Sequence, residues 1–195
     1  SDDAASRRDT VAAAFRLALT ALVRLQAYTA LAAAVLDGAG QPRVRWWPVA
    51  FALQRLEDPR ATTALLTLVG DPHPYTRAFA ARGLGALKSR SAVPLLLPLA
   101  SGPDRAVAVE AIRALGRIGD RAGAPPLVRL LQTPRADPEL RLEAVNAIGG
   151  VPADGVFDTL LDIVGDPSPP VRAAAIRSLA AIDAAQFVIV LSGLD

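Results

Sequence analysis

Apolar and polar positions along the chain follow the period of short helices. Thr76, Ala80, Leu84 and Leu87 recur at intervals of four and three, which places them on one face of a helix. Leucine-rich runs stand between such segments, at 64–69, 94–99 and 125–131. Sixteen prolines and fourteen glycines are scattered between these runs and do not cluster in one tail. The pattern predicts an all-α chain of short helices joined by regular turns.

The same pattern of a turn followed by a helix occurs several times along the chain. This internal repetition is the basis of the fold prediction. Gly70-Asp71-Pro72 recurs as Gly165-Asp166-Pro167, a separation of three periods of roughly 32 residues. Between these two turns the segments 77–85, 108–116, 141–149 and 172–180 align with one another. A single hairpin cannot cover its own apolar faces, whereas stacking on both neighbours does. We therefore predict a right-handed α-solenoid of about five stacked helical hairpins.

Predicted unit boundaries follow from that period. The first segment, 1–41, is a helical cap, and the repeats then cover residues 42 to 195. The approximate units are 42–70, 71–102, 103–133, 134–165 and 166–195. A further leucine-type helix begins after Ala184, and the chain stops at Asp195, where another turn is due. We expect the last unit to be truncated and the natural protein to continue.

The cap segment is apolar enough to raise the question of a membrane span. Arg16, Thr20 and Arg24 share a narrow sector of a helix. The opposite side is predicted to carry the apolar residues Val11, Phe15, Ala18, Leu22 and Leu25. An arginine near the bilayer centre costs about 2.5 to 3.5 kcal/mol on insertion scales. We expect an amphipathic helix that packs on the repeats, with no membrane span.

The repeated motif resembles a known family. A leucine-rich helix, an Asp-Pro turn, an arginine such as Arg77 and an Ala-x-x-Ala-Leu-Gly ending resemble HEAT repeats of the short, bacterial, PBS-lyase-like type, over residues 43–195. This resemblance implies that the Asp and Arg of the motif link adjacent units, pairing Asp71 with Arg77 and Asp166 with Arg172. Ala108 departs from the pattern, so the link there is expected to be broken or bridged differently.

Composition argues against several kinds of chemistry. The chain has no cysteine, and His73, its only histidine, lies between two prolines and is predicted to be a turn residue. No phosphate-binding loop, metal-ligand spacing or nucleophile beside a base is present. We therefore expect no catalytic residue, no metal site and no cofactor, and a chain that is not an enzyme. The net charge of +2 makes nucleic acid an unexpected partner.

The resemblance also implies that the second helix of each hairpin lines the concave side. Two columns of predicted partner-binding residues point outward from these helices: Arg82, Arg113, Asn146 and Arg177 in one, and Phe79, Glu110 and Glu143 in the other. Arginine is a planar donor to carboxylates, so the columns could hold an acidic or extended peptide. The alternative is a solvated face on which arginine and glutamate pair between neighbouring units.

Aromatic residues gather near the first repeats. Trp46 and Trp47 precede Pro48, which we expect in the first turn of a helix, leaving both tryptophans partly exposed at its entrance. Such side chains are common anchors at interfaces. They are equally suited to sealing the junction between the cap and the repeats.

Three functional hypotheses remain at this point. The first is a non-catalytic scaffold, expected to be monomeric, that binds a protein or peptide on its concave face. The second is a non-catalytic arm of a larger bacterial enzyme, since the repeats are similar to those accompanying cyclophilin-type peptidyl-prolyl isomerase domains. The third is nucleic-acid backbone binding, as in HEAT-like DNA glycosylases. Both cytoplasm and periplasm are compatible with the sequence.

Overall fold

The computed structural model describes residues 2–133 and 137–193, with side chains from residue 9 onward except that of residue 191. The described residues form eleven α-helices and no strand. In chain order the helices are α1 Asp2–Arg24, α2 Tyr28–Val35, α3 Trp47–Leu56, α4 Thr62–Leu68, α5 Pro74–Ala86, α6 Val93–Ala100, α7 Arg105–Ile118, α8 Ala124–Gln132, α9 Pro138–Ile148, α10 Val156–Ile163 and α11 Pro169–Ser192. The predicted all-α solenoid is confirmed.

The helices lie in two layers. Helices α4, α6, α8 and α10 each pack against the helix that follows, forming four regular hairpins. The second helices of these hairpins, α5, α7, α9 and α11, contact one another in sequence, and α3 extends their row at the N-terminal end. The first helices touch each other much less. Because the second helices are the more closely spaced, their layer forms the inner side of the curved array.

The helical hairpins of the structure do not coincide with the units predicted from the sequence: each hairpin begins about half a unit later. Helices α4 and α5, for example, form one hairpin across the boundary between 70 and 71. The predicted boundary between 133 and 134 adjoins residues 134–136, which lie outside the described residues. Asp195, where a further turn was expected, also lies outside them.

A continuous core runs between the two layers. The predicted stripe on α5 is inside it, since Thr76, Ala80 and Leu84 are fully buried. The equivalent residues of α7 and the leucine-type residues Leu65, Leu96, Leu127 and Leu160 of the first helices are also buried. Each hairpin thus covers the apolar face of its neighbour, as the stacking argument requires.

Small residues set the distance between adjacent second helices. A methyl group added to Gly85 would lie 2.6 Å from the Cα of Ala114, and one added to Gly116 would lie 2.6 Å from the Cα of Ala147. The third contact of this kind joins Gly149 to Ser178, whose hydroxyl donates a buried hydrogen bond to the carbonyl oxygen of Val145 (3.1 Å). Backbones therefore approach closely at one recurring position, and this contact holds the second helices in a row.

Helix α1 packs on α2 and α3 through a face that coincides only in part with the predicted one. Leu19 and Val23 are buried, together with the partly buried Phe15 and Leu22. Val11 and Leu25, expected on the inner side, are 69% and 75% exposed, and Ala18 is exposed as well. The helix has apolar residues on several sides, so periodicity alone could not select the face that docks. Arg16, Thr20 and Arg24 are exposed, as expected.

The Asp-Pro turns precede the second helices α5 and α11. The Asp71 carboxylate accepts a hydrogen bond from the backbone N–H of His73 (2.9 Å), and helix α5 begins with Pro74. Asp71 therefore shapes the turn and does not cap the helix directly. Asp166 does the same before α11. The true N-caps are Asp104 of α7 and Asp137 of α9, whose carboxylates accept from the first turn.

One helical stretch, Pro169–Val190, is long and apolar enough to cross a membrane by length and composition alone. It belongs to α11, which is interrupted by non-helical backbone at Asp183. Val171, Ala174 and Leu179 of this helix are buried in the shared core. In all, 28% of the most apolar window of this stretch is buried.

Candidate functional site

The inner face of the array carries a groove between α5 and α7. It encloses about 430 Å³ and is lined by Ala78, Phe79, Arg82, Arg105, Ala106, Val109, Glu110, Arg113 and Glu139. Four of the predicted partner-binding residues, Phe79, Arg82, Glu110 and Arg113, are thus brought together. The floor is apolar and the edges are charged, which is the usual composition of a binding cleft.

A second groove, of about 250 Å³, continues along the same face between α7 and α9. It is lined by Arg113, Gly116, Arg117, Glu143, Asn146 and Ala147. Arg113 borders both grooves, so they form one surface, named here the inner groove. Arg177, the last member of the predicted column, lies on α11 beyond it and is exposed.

Arg113 joins the two parts of the inner groove through ion pairs. Its Nε and Nη2 donate to the two carboxylate oxygens of Glu143 (2.9 and 2.6 Å), and its Nη1 donates to Glu110 (2.9 Å). The hydrogen bond to the Glu143 carboxylate raises the pKa of Arg113, so the guanidinium stays charged. Both glutamate side chains are only about 15% exposed. The pairing expected in the alternative interpretation of this face is therefore present around Arg113.

Arg82 is held more loosely. Its Nε lies 3.7 Å from the Glu110 carboxylate, and 45% of its side chain is exposed. At this distance there is an electrostatic contact without a hydrogen bond. The Arg82 guanidinium therefore remains available at the edge of the groove.

Arg105 and Glu139 border the first groove and were not predicted. Arg105 pairs with Asp137 of the next unit (3.1 Å) and with Glu139. It stands one turn before Ala108, the position where the repeat lacks its arginine, and so it bridges the two units in a different way. The signal that could have revealed it is its i, i+3 spacing from Ala108 on the same helix face.

The repeat arginines bind the aspartates that the resemblance implied, but through backbone carbonyl oxygens and not through the carboxylates. Arg77 donates to the carbonyl oxygens of Asp71 (3.0 Å) and Pro72 (2.8 Å), and Arg172 makes the equivalent bonds. Neither pairs with the carboxylate of its own turn. The link between units runs from Arg141 to the buried carboxylate of Asp166 (2.6 Å).

The two tryptophans have different surroundings. Trp46 stacks on Phe15 of α1 with ring centroids 5.7 Å apart, so it packs at the junction between the cap and the repeats. Trp47 contacts Phe79 (6.1 Å), and Phe51 meets the same ring edge-on (5.4 Å). This aromatic cluster closes the N-terminal end of the inner groove, and both tryptophans are half-buried. A role for either one in binding stays a prediction.

The single histidine of the chain lies outside the inner groove. His73 is an exposed turn residue beside Tyr75. Among the described residues, no three histidine or acidic side chains cluster closely enough to hold a metal ion. Grooves of about 340 and 520 Å³ elsewhere also combine apolar and charged side chains, but the inner groove is lined by predicted partner-binding residues and they are not.

Comparison with known proteins identifies the family. Residues 62–137 and 133–194 match the family model for HEAT repeats, and together they cover more than half of the chain. The chain belongs to the HEAT-repeat family. No match was found among curated protein sequences.

Solved structures share the architecture. The complex of CpcE and CpcF of phycocyanin lyase from Nostoc sp. PCC7120 contains a chain that is 26% identical, with a TM-score of 0.59 over 72% of this chain. This chain spans 60% of that relative's length. An engineered protein aligns at 23% identity, covering 71% of this chain and 73% of its own, with a TM-score of 0.56. A designed armadillo repeat protein in complex with the peptide (KR)4 aligns at 19% identity over 70% of this chain and 72% of its own, with a TM-score of 0.53. At such identities the last two show the fold alone.

Proposed function

We propose that this chain is a non-catalytic scaffold that binds a protein segment or peptide along the inner groove. The observation that carries the proposal is the continuity of the groove across three successive second helices, with an apolar floor and charged edges. Close contacts at Gly85 and Gly116 make these helices a rigid support. A preformed surface of this kind loses little entropy on binding.

The dimensions favour an extended segment. Neighbouring helices in contact are about 8 to 10 Å apart, and an extended chain rises about 3.3 Å per residue. A bound segment that crosses the helices would therefore advance about three residues per unit. Crossing from α5 to α11 would take about seven to nine residues, the length of a short linear motif.

A selection from a random peptide-display library, with the whole chain as bait, tests the proposal. Ala106 is exposed in the floor of the groove, so Ala106→Trp fills it without changing any charge. The matched control is Ala122→Trp, at an exposed position in the turn before α8. We expect peptides that bind the natural chain and the control but not Ala106→Trp. Failure to select any peptide sensitive to Ala106→Trp would contradict the proposal.

A second candidate function is supported by the CpcE and CpcF relative, which belongs to a lyase complex. In this case the array is a non-catalytic part of an enzyme assembly, and its inner groove holds another subunit. Purification of the natural full-length protein distinguishes the two. A stoichiometric partner that remains bound through gel filtration, and is released by Ala106→Trp, favours an enzyme assembly, whereas weak exchange of short segments favours the scaffold.

A further inference from the structure

On the inner face, the acidic side chains are paired with cations, whereas several arginines are not paired with carboxylates. Among the described residues, the three glutamates that line the inner groove have cationic partners: Arg113 binds Glu143 and Glu110, and Arg105 binds Glu139. Both Glu110 and Glu143 are also largely buried by these contacts. The acidic groups therefore offer little to a basic ligand, because binding one would mean breaking an existing pair.

Three arginines on the same face make no short ion pair with a carboxylate of the described residues. Arg82 has only the long contact to Glu110, and 45% of its side chain is exposed. Arg117 lines the second part of the groove, and Arg177 continues the column on α11; both are exposed, and among the described residues neither has an ion-pair partner. The charge that the inner face presents to solvent is thus positive, although the chain as a whole is close to neutral.

We infer that the segment bound in the inner groove is an acidic peptide in extended conformation, whose carboxylates meet Arg82, Arg117 and Arg177. This inference rests on the proposed function and names the partner class for the same site. Arg82 lies on α5, Arg117 on α7 and Arg177 on α11, so they are one and two helix steps apart. At about three residues per step, the acidic side chains that meet them are about three and about six residues apart.

The same arrangement disfavours nucleic acid. A phosphate backbone presents closely and evenly spaced negative charges, which call for a continuous basic track. Here the exposed arginines are separated by the glutamates that Arg113 holds. Isolated carboxylates on a peptide can reach the arginines while small or apolar side chains pass over Val109 and Ala106.

Fluorescence anisotropy with defined probes tests this inference. The main probe is a labelled peptide of about twelve residues, with glutamate at every third position in a background of serine and valine. Its counterparts carry glutamine or lysine at the same positions, and a further peptide has the same glutamates bunched at one end. A single-stranded oligothymidine of similar length represents nucleic acid.

We expect the glutamate peptide to bind at least about tenfold more tightly than the glutamine peptide at low salt, and more tightly than the bunched one. Arg82→Gln and Arg117→Gln should each weaken binding by about two- to fivefold, as for exposed ion pairs. Arg129→Gln is the matched control, because Arg129 is exposed on α8 in the outer layer. It should leave binding unchanged.

Preference for the lysine or glutamine peptide, or tighter binding of oligothymidine, would overturn the inference. So would loss of binding that is equal for Arg129→Gln and Arg82→Gln. If the display selection yields groove-dependent peptides that carry no acidic residues, the scaffold function stands and only the acidic partner class is lost. If the selection yields no groove-dependent peptide, the proposed function fails as well.

Discussion

Replacing Gly116 by alanine tests the close packing that keeps the second helices in a row. The added methyl group would lie 2.6 Å from the Cα, 2.8 Å from the Cβ and 2.8 Å from the carbonyl oxygen of Ala147. Two of these three atoms are backbone, which cannot rotate away as a flexible side chain would. Helices α7 and α9 must therefore separate or tilt to accept the change.

The expected cost combines two opposing effects. Overpacking of a well-packed contact destabilises by about 1 to 3 kcal/mol. Alanine is favoured over glycine inside a helix by about 1 kcal/mol, which offsets part of that cost. Because the nearest atom is backbone, we take the upper part of the overpacking range, about 2 to 3 kcal/mol, and expect a net loss of about 1 to 2 kcal/mol. For a chain of this size, the melting temperature should fall by about 2 to 8 °C.

Thermal and urea unfolding followed by circular dichroism provide the assay. Gly165→Ala is the matched control, since no atom lies within 4 Å of a methyl group at Gly165. It should leave the midpoint unchanged or slightly raised. Adding Ala147→Gly to the Gly116→Ala variant should rescue only part of the loss, because the contact to the Cα of Ala147 remains. If Gly116→Ala is as stable as the natural chain, the close packing of α7 on α9 is refuted.

Three further changes are expected to have measurable effects. Arg141→Ala should lower the free energy of unfolding by about 2 to 4 kcal/mol, measured by urea titration, because it leaves the buried Asp166 carboxylate without its cation. Phe15→Ala should weaken the docking of α1 and shift the fluorescence of Trp46 to longer wavelength. Asp58→Asn should flatten the fall in stability at acidic pH. Hydrogen bonding from Arg60 lowers the pKa of Asp58 in the folded chain. The stability that Asp58 contributes is therefore present above its ordinary pKa of about 3.9 and is lost as pH falls through the lowered pKa.

Each of these changes has a control and a contradicting result. Arg121→Ala is the control for Arg141→Ala: it removes the exposed ion pair with Asp154 (3.6 Å) and should lower the free energy of unfolding by less than about 1 kcal/mol. If Arg141→Ala lowers it by no more than this, the argument from the buried Asp166 carboxylate is contradicted. Val11→Ala, on the exposed side of α1, should leave the fluorescence unchanged, and a shift as large as that of Phe15→Ala would contradict the docking described. Arg60→Ala removes the donor of the same hydrogen bond and should flatten the profile in the same way as Asp58→Asn. An unaltered profile in Asp58→Asn would contradict the hydrogen-bond argument.

The repeat architecture could be predicted because it depends on local and periodic features. Burial of Thr76, Ala80 and Leu84 follows from their helical spacing, and the equivalence of the four aligned segments follows from their common register. The recurrence of glycine at one fixed position, as at Gly85 and Gly116, agrees with the close backbone contacts in the structure. Together these features require stacked hairpins, so the fold was accessible without coordinates.

The contacts of long side chains could not be predicted from the sequence, because one arginine can extend to several neighbouring groups. Arg113 can extend toward either neighbouring helix, and only the relative placement of α7 and α9 shows that Glu143 receives it. Arg77 was expected to reach a carboxylate and instead donates to backbone carbonyl oxygens. The docking face of α1 was predicted only in part: Phe15 and Leu22 pack on the core as expected, whereas Val11 and Leu25 are exposed. Apolar residues on several sides of α1 leave the choice of face to the surfaces of α2 and α3.

The central claim is that a polypeptide binds on the inner groove, and site-directed photo-crosslinking tests it most directly. The chain has no cysteine, so a benzophenone label can be placed at a single substituted position. Asn146→Cys puts the label in the groove, and Arg129→Cys puts it in the outer layer. We predict that a peptide from the display selection is crosslinked from position 146 and not from position 129. Crosslinking only from position 129, or equally from both, would contradict the account.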